Sequence, residues 1–198
     1  MEIFEIISML NIVNIPNFDE RVNKITSAVS SIENFPKEGI LFRDVSTLIN
    51  NAEAFRETID LFYDIYKDEK IDCVAAADAR GFIFGAALAY RLGTGMVMIR
   101  KKGKLPGATV SVDYSLEYGT GTLEIKDNAL KKGQKVLVLD DLLATGGTAG
   151  AMIELCRKFG ADIHSFGCVI DLFDLGGAKY LKDKYNTNTV SLIKFPGH

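Results

Sequence analysis

The chain contains 198 residues, of which 47% are hydrophobic and 25% charged, enough apolar surface to close a globular core. These values exclude a disordered, collagen-like or coiled-coil chain, and the length favours one domain over two. The 23 Lys and Arg residues against 26 Asp and Glu give a net charge of −3, so no global electrostatic signature for nucleic acid is present. Any bound anion must be held by a local site.

The cysteines and histidines exclude several kinds of site. Cys73, Cys156 and Cys168 are odd in number, far apart and free of C-x-x-C spacing, which argues against a disulfide framework or a zinc cluster and favours a reducing cytoplasm. With only His164 and His198, there is little room for a multi-histidine metal centre. We interpret the three cysteines as core residues and His164 as structural.

The first fifteen residues hold ten apolar ones, but also Glu2 and Glu5, with no Lys or Arg before Arg21. This is not the pattern of a secretory signal, and the stretch is shorter than the roughly 20 apolar residues that span a bilayer. We expect a helix that covers the core or a subunit partner, and no membrane association.

Beyond Pro16, apolar residues at helical spacing predict a helix that runs to about Ser31. Residues 35–39 (FPKEG) break it, and a short extended segment is expected from Ile40 to Arg43. A second helix is predicted by apolar residues that share one face: Phe55, Ile59, Phe62 and Tyr66.

The rest of the chain alternates apolar strands with glycine-containing turns and amphipathic helices, which is typical of a doubly wound α/β fold with a parallel sheet. Strands are predicted at Cys73 to Ala77, Met96 to Arg100, Val136 to Leu139 and Ile163 to Ile170. Helices are predicted at Phe82 to Leu92 and Thr148 to Phe159.

One segment breaks this alternation. Residues 101–107 (KKGKLPG) combine three lysines with two glycines and a proline, so we expect an exposed, mobile loop. After it, Val110 to Leu116 and Gly121 to Ile125 alternate like the two arms of a β-ribbon.

The strongest functional signal is residues 136–148 (VLVLDDLLATGGT), which read as a buried strand, two acids, a small-residue turn and a helix start. Consecutive N–H groups and hydroxyls at 144–148 predict a phosphate at the helix N-terminus. Asp140 and Asp141 are then suited to accept hydrogen bonds from sugar hydroxyls. The phosphate site and the acid pair together indicate a ribose phosphate as the ligand. The alternative is a tight turn with two capping acids. The P-loop and dinucleotide-binding glycine patterns are both missing.

This stretch resembles the PRPP-binding signature of type I phosphoribosyltransferases. Four further segments, in the same order, resemble the adenine phosphoribosyltransferases of that family: residues 35–44 (FPKEGILFRD), 78–82 (DARGF), 99–107 (IRKKGKLPG) and 114–119 (YSLEYG). The resemblance runs from about Asn34 to the C-terminus.

The resemblance implies a type I phosphoribosyltransferase fold: a doubly wound, mainly parallel sheet flanked by helices, with a small hood and a flexible β-ribbon loop. One domain is expected over residues 1–198. Its parts would be an N-terminal helical segment (1–33), a base-binding hood (34–48) and a flexible catalytic loop (101–122).

The implied activity is transfer of 5-phosphoribose from PRPP to adenine, which gives AMP and pyrophosphate in purine salvage. Mg²⁺ is the implied cofactor, held mainly by PRPP oxygens rather than by the protein. The family also implies a homodimer. From the cysteines, the net charge and the N-terminal stretch we expect a cytoplasmic protein with no nucleic-acid or membrane partner.

The resemblance also implies roles for individual residues. It assigns the ribose hydroxyls to Asp140 and Asp141, and the 5-phosphate to Ala144, Thr145, Gly146, Gly147 and Thr148. Tyr118 is expected to contact PRPP or AMP.

Cations beside the leaving pyrophosphate would stabilise the charge that develops on it. The candidates are Arg80, Arg100, Lys101 and Lys104. Arg80 stands at a predicted strand end, where ligands of α/β sheets bind, so we expect a direct catalytic role for it. The loop lysines have the alternative of forming a solvated face.

Glu117 corresponds to the general base or acid proposed for the family, with a solvent-facing position on the β-ribbon as its alternative. Adenine is expected near Leu41, Phe42 and Arg43, recognised partly by backbone groups, with Ala144 close by. A 6-oxo purine would leave a backbone carbonyl facing another acceptor.

Two rival functions remain on the sequence alone. One is a transferase for hypoxanthine, guanine or xanthine, and the other is a PRPP-binding regulator without catalysis. No helix-turn-helix segment precedes the domain and the net charge is negative, which counts against a regulator that binds nucleic acid. For the dimer, we hypothesise an interface that includes apolar residues of the N-terminal segment: Ile3, Phe4, Ile6, Ile7, Met9 and Leu10.

Overall fold

A computed structural model describes residues 15–116 and 119–197. The helices are α1 (Phe18–Ser27), α2 (Ser46–Asn50), α3 (Ala52–Tyr66), α4 (Arg80–Leu92), α5 (Gly147–Lys158) and α6 (Gly177–Tyr185), with a 3-10 turn at Phe173–Leu175. The strands are β1 (Ser30–Glu33), β2 (Leu41–Asp44), β3 (Cys73–Ala77), β4 (Gly95–Lys101), β5 (Thr109–Leu116), β6 (Gly119–Lys126), β7 (Lys135–Leu143), β8 (Asp162–Leu172) and β9 (Thr189–Phe195).

Seven of the strands form one sheet in the order β5-β6-β4-β3-β7-β8-β9. The five strands from β4 to β9 in this order run parallel, whereas β6 is antiparallel to β4 and forms a hairpin with β5. The predicted α/β class with a mainly parallel sheet is therefore confirmed, and so is the β-ribbon. Strands β1 and β2 pair separately in a small antiparallel sheet.

Both faces of the large sheet are covered by apolar residues. Val74 and Leu137 belong to the cluster that α3 and α4 cover, and Ala75 and Val138 belong to the cluster that α5 covers. Neighbouring strand residues point to opposite faces, so a strand buried on both sides needs an unbroken apolar run. This explains why the apolar sequence of β7 predicted a central strand correctly.

The predicted helix to about Ser31 is wrong at its C-terminal end, because α1 ends at Ser27. Ser30–Glu33 is strand β1, and Ile32 pairs with Phe42. The Thr47 hydroxyl donates to the carbonyl of Ala28 at 2.7 Å and accepts from the Ser30 N–H at 3.1 Å. This side chain from α2 satisfies the backbone where the helix stops, and the chain turns into the ladder with β2.

The structure agrees with the interpretation of the cysteines and of His164. All three cysteines are free and buried. His164 contacts Ser165 Oγ at 3.0 Å through Nδ1 and Glu69 Oε2 at 3.1 Å through Nε2, and it packs edge-on against Tyr66. These contacts tie the start of β8 to the end of α3. The acids of β7 lie at the other edge of the sheet, where the parallel strands end.

The helix expected within the first fifteen residues lies almost entirely outside the described part of the chain. Among the described residues, none of the helices combines the length and the apolar character that a membrane crossing requires.

Candidate active site

The predicted site residues around the acid pair meet at the carboxyl ends of β3 and β7, which are neighbours in the sheet. Arg80 is the first residue of α4, directly after the loop that follows β3. Its Nε lies 2.7 Å from Oδ2 of Asp141 on β7. The Arg80 side chain is 45% exposed, whereas that of Asp141 is only 7% exposed. A buried acid is therefore paired with a cation that still faces the cavity.

The two acids lie within β7, which continues through them to Leu143 rather than stopping at Leu139. Asp140 is half-buried, and burial followed by the negative charge of Asp141 raises its pKa well above the usual value. Burial also raises the pKa of Asp141, although the positive charge of Arg80 opposes this shift. Both carboxylates are costly to ionise in this position. Sugar hydroxyls that donate to them, or a cation beside them, would stabilise the negative charge and therefore bind favourably here.

The small-residue turn after β7 leads into the N-terminus of α5. Gly146 is the N-cap with φ +90° and ψ −2°, and it offers no side-chain hydrogen bond to the helix. The N–H of Gly150 bonds to the carbonyl of Gly146 at 2.8 Å, which starts the helical ladder. The N–H groups before it have no intrahelical acceptor, and backbone donors of this kind are what the predicted anion site requires.

A cavity of about 230 Å³ joins these groups. Its lining consists of Arg80, Asp140, Asp141, Leu142, Leu143, Ala144, Thr145, Gly146, Gly147, Thr148 and Ala149. The cation, the acid pair and the helix N-terminus thus face one common space at the carboxyl edge of the sheet, where ligands of such sheets bind. The other predicted site residues that are described do not line this cavity.

Arg100 lies beside this site and is tied to two loops. Its Nε is 3.0 Å from Oδ2 of Asp78, and its Nη1 donates to the carbonyl of Lys104 at 3.0 Å. Asp78 precedes Ala79 through a cis peptide bond. Lys101 and Lys104 lie on the exposed segment 101–107, as the sequence predicted.

The residues predicted to bind adenine separate into two sets. Phe42 packs edge-on against Phe35 at 5.1 Å, and the Arg80 guanidinium lies 5.6 Å from the centre of the Phe42 ring. The Arg43 side chain is engaged elsewhere: it donates to the Pro196 carbonyl at 3.3 Å and stacks on the Phe195 ring at 4.4 Å. Phe42 therefore faces Arg80, whereas Arg43 anchors β2 to the C-terminal strand.

Two of the predicted site residues, Glu117 and Tyr118, lie outside the described residues. The strands on either side end at Leu116 and begin at Gly119, and these two residues are register partners in the hairpin. Leu41 begins β2, next to Phe42.

The phosphoribosyl transferase domain family matches residues 44–197. An adenine phosphoribosyltransferase from Leptospira biflexa is 49% identical over 174 residues, which are 88% of this chain and 98% of the relative. This chain belongs to the adenine phosphoribosyltransferase family.

Solved structures of that family agree with this assignment. The adenine phosphoribosyltransferase from Thermoanaerobacter pseudethanolicus has a TM-score of 0.84 at 44% identity and covers 88% of this chain and 99% of its own. The one from Saccharomyces cerevisiae, complexed with adenine and an imino-altritol bisphosphate, has a TM-score of 0.82 at 36% identity, with 88% and 99% coverage.

Two glycines that shape this phosphoribosyltransferase site were missed from the sequence. A Cβ on Gly81 would lie 2.6 Å from Oδ1 of Asp140, and one on Gly177 would lie 2.2 Å from the carbonyl oxygen of Ala144. Both glycines permit close approach of a helix start to the site. Gly81 stands within the DARGF segment that carried the resemblance, so its position was a usable signal, whereas Gly177 had none.

Proposed function

We propose that this protein transfers 5-phosphoribose from PRPP to adenine, giving AMP and pyrophosphate in purine salvage. The observation that carries the proposal is the cavity in which Arg80, the pair Asp140 and Asp141, and the N-terminus of α5 meet. Its family membership and the adenine bound to the yeast relative support adenine as the acceptor.

The ribose 5-phosphate part of PRPP would occupy the described cavity. The Asp140 and Asp141 carboxylates accept hydrogen bonds from the two ribose hydroxyls, which lowers the cost of holding both charges in a buried position. The 5-phosphate is bound by backbone N–H groups and hydroxyls at the start of α5. These donors belong to Ala144, Thr145, Gly146, Gly147 and Thr148.

Pyrophosphate is the leaving group when the bond from ribose C1 to its oxygen breaks. Positive side chains beside it stabilise the transition state, because negative charge accumulates there as the sugar becomes oxocarbenium-like. We assign this role to Arg80, with Arg100, Lys101 and Lys104 as further contacts. Tyr118 is proposed to contact the phosphoribosyl group.

Mg²⁺ is proposed as the cofactor. Among residues 15–116 and 119–197, no group of three or more His, Cys, Asp or Glu side chains could hold a metal ion. This fits an ion held mainly by PRPP oxygens, since Mg²⁺ often binds through substrate phosphates and few protein ligands. When bound, it would neutralise part of the charge on the pyrophosphate.

The ring nitrogen of adenine that attacks ribose C1 must lose a proton. We assign to Glu117 the role of the general base that accepts this proton. Adenine itself is proposed to lie against Leu41, Phe42 and Ala144. Arg43 would contribute through its backbone, because its guanidinium is already bound to Pro196 and stacked on Phe195.

A homodimer is proposed on the apolar face of α4. Ile83 and Tyr90 are seven residues apart on that helix and are 40% and 88% exposed, and Met98 on the neighbouring β4 is 47% exposed. Such a patch on a monomer is a candidate interface. Light scattering of two variants tests which surface holds the dimer. Tyr90→Glu should be monomeric if the face of α4 is the interface. A chain without residues 1–14 should be monomeric if the N-terminal segment is the interface.

The three free, buried cysteines support a reducing compartment, and we propose the cytoplasm.

The function is tested by measuring AMP formation from PRPP and Mg²⁺ with adenine, hypoxanthine, guanine and xanthine in parallel. We expect turnover with adenine alone. Preference for a 6-oxo purine would make the protein a transferase for another base. PRPP binding without turnover of any base would support the regulatory alternative.

A further inference from the structure

Segment 100–104 of the chain concentrates positive charge beside the proposed pyrophosphate site. Arg100, Lys101, Lys102 and Lys104 place four cations within five residues. Side chains of like charge repel one another, so nearby anions and backbone contacts help to hold such a turn in one conformation. Arg100 is fixed by Asp78, as described above. The contact that fixes the lysine turn lies on the other side, on β6.

Glu124 on β6 provides this second contact. Its Oε2 accepts a hydrogen bond from the backbone N–H of Gly103 at 2.9 Å. Gly103 has φ +75°, and the N–H of Lys104 bonds back to the carbonyl of Lys101 at 3.2 Å, so the segment forms a tight turn. Glu124 is the register partner of Arg100 across the β4–β6 pair, which puts both side chains on one face of the sheet.

The burial of Glu124 is unusual for its position. Its neighbours Leu123 and Ile125 face the apolar core and are 2% and 0% exposed. Glu124 points to the other face, yet it is only 8% exposed. Glutamate is rarely buried this far, because removing its charge from water is costly unless the carboxylate is paired or hydrogen-bonded. Its hydrogen bond is to the turn that carries the lysines.

We propose that Glu124 is a positioning residue that holds the turn 101–104 in place, so that Lys101 and Lys104 meet the pyrophosphate of PRPP without first being ordered. This inference rests on the proposed function, because it assumes PRPP as the ligand. Two carboxylates hold the cationic turn, Asp78 through Arg100 and Glu124 through the Gly103 N–H, and the Lys102 N–H adds a backbone bond to the Thr122 carbonyl of β6 at 3.1 Å. A preformed turn lowers the entropy cost of binding a ligand.

The test compares Glu124→Ala and Glu124→Gln with the wild-type chain by titration calorimetry and steady-state kinetics. PRPP and pyrophosphate should reach the turn, whereas AMP, which lacks pyrophosphate, should not. We expect Glu124→Ala to weaken PRPP and pyrophosphate binding about tenfold and to leave AMP binding and the KM for adenine unchanged. Glu124→Gln keeps an acceptor for the Gly103 N–H and should restore affinity to within about threefold.

Asp113→Ala is the matched control, since it removes one acid from the same hairpin, where Asp113 accepts from the Thr122 hydroxyl on the exposed face. It should bind all three ligands like the wild type. The proposal is wrong if Glu124→Ala binds pyrophosphate normally, if it loses AMP equally, or if Glu124→Gln is as weak as the alanine variant. Because binding is measured directly, an absence of turnover in the wild type would overturn the proposed function without obscuring this result.

Discussion

Arg80 and Asp141 form an ion pair at 2.7 Å although Arg80 comes after β3 and Asp141 lies within β7, two different strands of the same sheet. The parallel pairing of these strands brings their carboxyl ends together, so the pair depends on topology and not on sequence proximity. It also places the proposed pyrophosphate cation beside the proposed ribose acids. One extended ligand can therefore contact both groups.

Replacement of Arg80 by alanine should lower kcat/KM for PRPP about 100-fold to 1000-fold, because a positive group aimed at the leaving pyrophosphate is lost. Steady-state AMP formation measures this. Arg91→Ala is the control on the same helix, since Arg91 pairs with Asp60 and stacks on Tyr63 away from the site. Equal losses in the two variants would mean that Arg80 acts through the stability of α4.

Asp140→Asn should abolish turnover and yet raise Tm at neutral pH. The raised pKa of Asp140 means that the folded chain binds its proton more tightly than the unfolded chain does. The free energy of unfolding therefore falls as the pH rises from the ordinary pKa of this carboxyl to its raised pKa. Asparagine cannot ionise. The Tm gain should therefore vanish below about pH 3.8, the ordinary pKa, and grow above it. Calorimetric melts at several pH values check the sign, and a destabilised variant at pH 7 would contradict it.

Gly81→Ala should reduce kcat/KM about 100-fold, since a displacement of about 1 Å in a positioning group has that order of effect. The new Cβ would lie 2.6 Å from Oδ1 of Asp140, so the acid must move. At Gly95 nothing lies within 4 Å of an added Cβ, and Gly95→Ala should keep its activity. Normal turnover by Gly81→Ala would show that Asp140 tolerates the shift.

Thr148→Val should weaken AMP and PRPP binding about tenfold each, because one hydroxyl donor to a charged phosphate is lost. Pyrophosphate binding should not change, since the 5-phosphate end of the site is distinct from its cationic end. Thr26→Val is a control, because the Thr26 hydroxyl bonds to the Val22 carbonyl within α1, far from the cavity. Titration calorimetry with the three ligands distinguishes the two ends. A loss of pyrophosphate affinity in Thr148→Val would contradict the assignment.

The sequence predicted those elements whose residues carry the signal locally, such as a buried strand or a helix start. The run Val136 to Leu139 is apolar at every position and predicted a strand buried on both faces, and Gly146 and Gly147 predicted a helix start open to an anion. The helical spacing that predicted a helix to about Ser31 failed at its end, because Thr47 on another element satisfies the backbone after Ser27. Tertiary hydrogen bonds of this kind leave no periodic pattern in the chain.

The contacts between distant segments were equally hidden. Glu124 is separated from Gly103 by 21 positions, and nothing in the alternation of β6 marks it as buried. The engagement of Arg43 with Pro196 joins residues 153 positions apart. The resemblance to a family predicted which residues belong to the site. Only the fold separates side chains that face the cavity from those that hold the fold around it.

The most direct measurement is AMP formation from adenine, PRPP and Mg²⁺ by the wild-type chain beside the Asp140→Asn, Asp141→Asn double variant, with Glu117→Ala in parallel. We expect turnover in the wild type, loss of turnover and of PRPP binding in the double variant, and loss of turnover with retained PRPP binding in Glu117→Ala. A wild-type chain that binds PRPP but converts no base, or a double variant that still forms AMP at the wild-type rate, would contradict the proposed function and its site.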